Sequence, residues 1–325
     1  MKIFSKPEQL KQLTKPVVMA VGFFDGVHLG HREVLASTLR RSLDIKGEAW
    51  VMTFAQHPLS VLAPYKRPRL LSTTEERLKI FAALGMHGVL LVDFTTEIAE
   101  FSPLDFVRWL CDAECASEAH APIREIRCGD NWRFGLKACG TPATLAELGR
   151  DYGFDVVVVP YAGYKDVEIS STRIRYAIRE GRLQEANGML GRAYSIHGKV
   201  VSGRGLANRL QMATANIIPD VDLLPPNGVY AVRTKINGRI YGGVANLGVR
   251  PTFPDTSPSE IVLETHIFDF NGELYNQEIV VYFIAFIRAE RKFDSPEMLV
   301  QQVGDDMTAA ARILSADDFQ DVFTH

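Results

Sequence analysis

The sequence is short of cysteine, of long apolar runs and of excess positive charge, and each shortage excludes something. Its four cysteines, Cys111, Cys115, Cys128 and Cys139, form no CxxC pair and have no histidine cluster beside them. A zinc site is therefore not expected, and neither is a disulfide framework in a chain of 325 residues. Free thiols in a reducing compartment are the plainer reading. No apolar run is long enough to span a bilayer, and Met1 to Lys15 is polar, carries lysines and lacks a cleavage pattern. No membrane association is expected, and the cytoplasm is the expected location. Lys and Arg total 36 against 39 Asp and Glu. A general nucleic-acid binder carries a basic stripe, so no nucleic-acid partner is expected. A local phosphate site needs only a few side chains and backbone N–H groups, and remains open.

What is present is material for two cores. Hydrophobic residues make up 46% of the chain, and the length suits two domains. The first half alternates apolar strands with helical patterns. Strands are expected at 16–21, 48–54, 89–94, 123–128 and 155–160, and helices at about 31–45, 73–84, 103–111 and 143–152. Thr73 stands as an N-cap with Glu76 at the capping-box position. Strands alternating with helices mean βαβ units and a parallel sheet, with ligands beyond the carboxyl ends of the strands. Near Gly191 the texture changes. Strand-like runs at 194–201, 228–236, 239–246, 261–268 and 277–288 follow without helices between them, and Asn237-Gly238 is a strong hairpin signal. This predicts a small antiparallel barrel or sandwich, closed by a helix at about 295–315. The domain boundary is expected at about residue 185, giving domains 1–185 and 186–325, with 171–190 as a helical bridge.

The most informative segment runs from Gly22 to His31, Gly-Phe-Phe-Asp-Gly-Val-His-Leu-Gly-His. Gly22, Gly26 and Gly30 permit a tight turn and close backbone approach to a ligand. A helix begins there, and its free N–H groups and positive dipole end favour phosphate. His28 and His31 sit at that entry, where imidazoles can stabilise charge in an in-line displacement at phosphorus. A bare HxGH is also compatible with a helix cap beside a surface residue. A second cluster, Glu168-Ile169-Ser170-Ser171-Thr172-Arg173-Ile174-Arg175, opens another helix with hydroxyls and arginines. By itself it reads as a cap with solvated arginines; beside the histidine turn it reads as the other jaw of a triphosphate clamp.

These two segments, together with Thr53-Phe54, His57-Pro58 and Cys128 to Gly135, closely resemble the bacterial bifunctional riboflavin kinase/FAD synthetase family. The likeness extends over essentially the whole chain. It implies an α/β, Rossmann-like nucleotidyltransferase domain of the HxGH type, which joins the AMP of ATP to FMN and releases pyrophosphate. It implies catalytic His28 and His31, and binding positions at Gly22, Phe23, Asp25, Gly30, Asn131, Ser170, Ser171, Thr172 and Arg175. Phe54 and Phe134 read equally as stacking surfaces and as core.

The second half resembles the family's riboflavin kinase domain, a six-stranded antiparallel barrel. The resemblance implies Mg²⁺ and ATP phosphates at Thr214 and Asn216, binding positions at Asn246 and Arg288, and Glu264 as the base for the ribityl 5′-hydroxyl. From its type alone, Glu264 is also a plain surface carboxylate on a strand. Riboflavin, FMN, FAD and ATP are then substrates or products. One loop departs from the family pattern. Before Thr214 the family usually has two glycines, an arginine and a proline where this chain has Ala207, Asn208, Gln211 and Ala213. Cβ atoms at Ala207 and Gln211 disfavour the positive φ that lets backbone wrap phosphate. A weakened, altered or lost kinase and a normal one are both open. So are a barrel that only senses flavin, and a transferase acting on another phosphorylated acceptor.

Overall fold

The computed structural model of the chain describes residues 1–112, 122–201, 214–250, 260–319 and 321. The altered loop at 207–213 lies outside the described residues, as does Cys115. Two compact units emerge, Met1–Ser171 and Thr172–Thr324, against the division near 185 expected from the change in texture.

The first unit is built on a parallel sheet of six strands: β1 (Lys2–Phe4), β2 (Val17–Val21), β3 (Glu48–Phe54), β4 (Gly88–Val92), β5 (Ile123–Gly129) and β6 (Asp155–Val159), in the order β1-β4-β3-β2-β5-β6. Its helices are α1 (Leu29–Asp44), α2 (Leu59–Leu62), α3 (Thr74–Ala83), α4 (Thr96–Glu100), α5 (Pro103–Cys111) and α6 (Pro142–Tyr152). A small hairpin, β7 (Gly163–Tyr164) with β8 (Val167–Glu168), follows. β2 reads Val-Val-Met-Ala-Val and is buried at every position, as a strand covered on both faces must be. Met19 of β2 shares the core with Trp50 and Met52 of β3. Gly88 leaves room for the Trp50 indole, whose Cη2 lies 2.4 Å from where a Cβ would stand. Thr73 caps α3 as expected, accepting from the Glu76 N–H. β1 was not foreseen. Three residues in a polar terminus give no period, yet they pair in parallel with Gly88 to Leu90 of β4.

The chain leaves β2 toward β3 and β4 on one side and reaches β5 and β6 on the other. The crevice between the carboxyl ends of β2 and β5 is the topological switch point, where open α/β sheets bind ligands.

The second unit begins with α7 (Ser171–Arg179), whose first residue belongs to the first unit, and α8 (Leu183–Leu190). The stretch expected as one helical bridge is two helices, broken at Gly181 with φ +73°. Then comes a closed antiparallel barrel of β9 (Tyr194–Val201), β10 (Thr214–Pro219), β11 (Gly228–Ile236), β12 (Arg239–Arg250), β13 (Glu260–Ile267) and β14 (Glu278–Arg288), in the order β10-β13-β12-β11-β14-β9. Asn237 (φ +48°) and Gly238 (φ +80°) make the expected tight turn between β11 and β12. α9 (Pro296–Ser315) packs Ala310 and Leu314 against Val229, Ala231 and Val244. Among the described residues, no helix is long and apolar enough to cross a membrane.

Candidate active sites

The turn after β2 is an unusually constrained piece of backbone. Phe24 has φ +57°, Gly26 +77° and the β-branched Val27 +40°, so three residues of four lie in the left-handed region. Side chains rarely accept such angles unless their surroundings hold them. Here Val27 is fully buried, and the Gly26 N–H donates to Ser72 Oγ at 2.9 Å. Asp25 is 3% exposed, and its Oδ1 accepts from the N–H groups of Leu71 (2.9 Å) and Ser72 (3.3 Å). The residues before α3 therefore latch onto the turn.

His28 is the N-cap of α1, and its Nδ1 accepts from the His31 N–H at 3.2 Å. That bond fixes the neutral tautomer with the proton on Nε2. The His28 and His31 rings stack at 3.6 Å between centroids with 16° between planes. Two imidazolium ions would repel at that spacing. Burial, then His28, then Arg77 hold the His31 pKa well below its ordinary value. His31 is half-buried, and its Nδ1 is buried with no hydrogen-bond partner. Gly30 lets the His28 ring lie back across the first turn of α1, since a Cβ there would stand 3.2 Å from it. The pair thus combines two stacked imidazoles with the N–H groups of a helix start, an anion-receptive arrangement that needs no protein nucleophile.

The other expected residues of this unit are placed as follows. Asn131 is exposed and follows the end of β5, across the switch-point crevice from the histidine turn. Ser171 Oγ donates to the Asp25 carbonyl at 3.0 Å, tying the second cluster to the turn. Thr172 and Arg175 follow on the first turns of α7. Arg173, expected beside an anion, pairs with Glu185 at 2.9 Å. Phe134 is 6% exposed and stacks on Trp132 at 4.8 Å, so it is core. Phe54 is half-buried, edge-on to Phe94 at 5.0 Å. Sequence reasoning missed Ser72 and Arg77. The signal for Arg77 was available: it falls on the stripe of Glu76, Ile80 and Phe81 that α3 buries.

In the barrel the register does the assembling. Asn216 of β10 pairs with Glu264 of β13, Glu264 with Asn246 of β12, Asn246 with Val229 of β11, and Val229 with Arg288 of β14. One row thus crosses five strands and holds four of the expected residues. Flanking positions Ala215, Leu263, Thr265, Ala245 and Leu247 are fully buried, so the row lies on the outer face of the barrel. Thr214 shares that face two residues from Asn216. Glu264 is exposed, and Asn246 Nδ2 donates to Glu290 Oε1 at 3.2 Å, a carboxylate that sequence reasoning did not single out. Arg288 is engaged within the protein. Its Nε and Nη2 hold the Asp306 carboxylate of α9 at 2.7–3.1 Å, and Nη1 donates to the Ala289 carbonyl.

Thr214 and Asn216 offer a hydroxyl and an amide oxygen side by side, hard donors that suit Mg²⁺ shared with phosphate oxygens. Among the described residues, no group of three or more His, Cys, Asp or Glu forms a metal cage.

Two family models match the chain, FAD synthetase over residues 10–173 and Riboflavin kinase over residues 190–314. The bifunctional riboflavin kinase/FMN adenylyltransferase of Bacillus subtilis (strain 168) is 34% identical over 95% of both chains. The chain belongs to the bifunctional riboflavin kinase/FMN adenylyltransferase family. A second member, from Escherichia coli (strain K12), is 33% identical over 90% of this chain and 91% of its own. A solved structure titled macrolide-efflux protein, from Streptococcus pneumoniae, superposes with TM-score 0.81 at 29% identity, covering 94% of this chain and 96% of that one. Each match falls on one kind of architecture: the FAD synthetase match covers β2 to β6 of the parallel sheet, and the Riboflavin kinase match covers the barrel.

Proposed function

We propose that the chain performs two consecutive reactions. The barrel transfers the γ-phosphoryl group of ATP to riboflavin, giving FMN and ADP. The parallel-sheet unit then joins FMN to the AMP of a second ATP, giving FAD and pyrophosphate. The observation that carries the second assignment is the stacked histidine pair at the start of α1, with His28 as its N-cap, at the switch point of the sheet.

In adenylyl transfer an FMN phosphate oxygen attacks the α-phosphorus of ATP, and the bond to the β-phosphate oxygen breaks. His28 donates from Nε2 toward phosphate oxygen, and the α1 N–H groups share the charge. Ser170, Ser171, Thr172 and Arg175 hold the phosphates, and Gly22, Phe23, Asp25, Gly30 and Asn131 shape the site. Phe54 is the remaining stacking candidate. In the kinase reaction Glu264 accepts the proton of the attacking 5′-hydroxyl, and Asn246 positions the substrate. Thr214 and Asn216 would hold Mg²⁺, which neutralises triphosphate charge when bound. Both reactions consume ATP, and Cys111, Cys128 and Cys139 are free thiols, which supports the cytoplasm as the location.

The test uses the full chain with Mg-ATP and either riboflavin or FMN, followed by chromatography. His28→Ala is expected to lower FAD formation from FMN by about 10²–10³-fold while riboflavin phosphorylation persists. Glu264→Gln is expected to lower FMN formation by about 10²–10⁴-fold while FAD formation from FMN persists. A parental chain that forms FAD from FMN and leaves riboflavin unchanged would reduce the barrel to a flavin-binding unit, and would point to the altered loop at 207–213.

A further inference from the structure

Arg77 is a buried cation that the reaction as described does not use. Its residue is 1% exposed, on the stripe of α3 shared with Ile80 and Phe81. Nη1 donates to the Phe23 carbonyl (2.7 Å) and to Thr53 Oγ1 (3.1 Å). Nη2 donates to the carbonyls of Phe54 (3.0 Å) and Ala55 (3.1 Å) and to Thr74 Oγ1 (3.0 Å). Its guanidinium also lies over the Phe23 ring, 4.5 Å from the centroid. The carbonyls belong to the turns that leave β2 and β3, at the carboxyl edge of the sheet. Every one of these acceptors is neutral. Nε is buried and makes no hydrogen bond.

Bridging two turns does not by itself require a charge. A buried cation is costly, and apolar residues of similar volume often replace buried ions without loss of stability. Burial pulls the guanidinium pKa down to about 10, with Asp25 opposing, so the group still stays charged at neutral pH. That charge is felt at the histidine turn. His31 faces His28 from the N-cap of α1 and Arg77 from α3, and both disfavour its protonation. A fixed positive charge behind a helix N-terminus also attracts the polyanion that the turn would receive.

We propose that Arg77 is a positioning residue of adenylyl transfer: it locks the turns after β2 and β3 together and sets a fixed positive charge behind the histidine pair. The inference rests on the reading of the histidine turn as the adenylyl-transfer site. Arg77→Lys keeps the charge and, with one ammonium, cannot reach five acceptors on five residues. Arg77→Met removes both.

Full-length variants are compared for FMN adenylylation, for fold by near-ultraviolet circular dichroism, and for the His31 titration by NMR of histidine-labelled protein. Folded Arg77→Lys is expected to lose about tenfold or more in kcat with KM for ATP changed less than about threefold, because misplaced groups fail in the transition state. Its His31 titration stays near the parental one. Arg77→Met loses more, and its His31 titrates at higher pH. Folded Arg77→Lys with parental kcat overturns the proposal, and decides it even where Arg77→Met does not fold. So does folded Arg77→Met with an unshifted His31. His28→Ala separates the two levels of argument. Full FAD synthesis by His28→Ala sinks the site reading itself, while loss in His28→Ala alongside parental kcat in Arg77→Lys sinks only the role of Arg77.

Discussion

Truncating Asp306 to alanine asks what Arg288 is for. The Asp306 carboxylate is 5% exposed and the Arg288 side chain 21%. The carboxylate accepts from Arg288 Nε and Nη2 and from Gln302 Nε2 at 2.8 Å. Asp306→Ala therefore leaves a largely buried guanidinium with the Ala289 carbonyl and the Phe293 ring, 5.8 Å from its centroid. Breaking a buried pair from one side costs about 3–5 kcal/mol, and the residual exposure of Arg288 argues for the lower end, about 3 kcal/mol. At roughly 2–4 °C per kcal/mol for a domain of this size, the barrel transition should fall by roughly 6–12 °C. Calorimetry of the full chain reads this out, with the barrel transition recognised by its rise on adding riboflavin and Mg-ATP. Arg288→Met and the double variant complete a cycle. Two residues that serve mainly each other should give strongly non-additive losses. Measured well below the transition, folded Asp306→Ala should keep its KM for riboflavin within about twofold, since the pair anchors α9 and its tethering bond is not a substrate bond. A fall of less than about 3 °C, or fully additive losses, would refute the reasoning; a large change in KM would return Arg288 to direct substrate contact.

Gly88→Ala drives a Cβ to 2.4 Å from the Trp50 indole, which is held by Glu48 at 3.0 Å, so the first unit should lose roughly 1–3 kcal/mol or more in denaturant unfolding. Because His31 titrates below its ordinary 6.5, the unfolded state binds its proton first on acidification. The stability this contributes is present above about pH 6.5 and declines as pH falls toward the depressed folded value; denaturation at stepped pH should show the slope, and His31→Gln should flatten it. Burial raises the Cys111 thiol to about 12, and burial followed by Asp130 raises Cys128 to about 11, while Cys139 is exposed. Iodoacetamide at pH 8, followed by peptide mapping, should therefore modify Cys139 well before the other two; equal labelling of Cys111 would contradict its burial.

The strands of the sheet were legible because parallel strands covered on both faces read as unbroken apolar runs, and β2 is the clearest of them. β1 and β10 were not. β1 has three residues and no period, and β10 was met as the motif Thr214-Ala215-Asn216, whose chemistry hid its role as the sixth strand. The histidine turn was legible from glycine spacing at a strand-to-helix junction. Its latch was not, because Asp25 and Ser72 are 47 residues apart and meet only once the sheet forms. Arg77 is readable as a charge in the core phase of α3, but a lone arginine on a helix is ordinarily solvated, so the pattern alone does not mark it as buried. Sequence resemblance placed Arg288 near substrate; it could not show that Asp306, eighteen residues on, takes up most of its donors.

The row that crosses the barrel from Asn216 to Arg288 makes the kinase face a matter of counting. In β13, Leu263 and Thr265 are fully buried and Glu264 between them is exposed. One residue inserted or deleted in that strand would exchange their faces, sending the carboxylate inward and Thr265 out. Such a lineage would lose the alignment of Glu264 with both asparagines at a single step, whatever residues it kept. Substitution can explore this face gradually; length change cannot, and the history of the barrel should be written in the connections between strands.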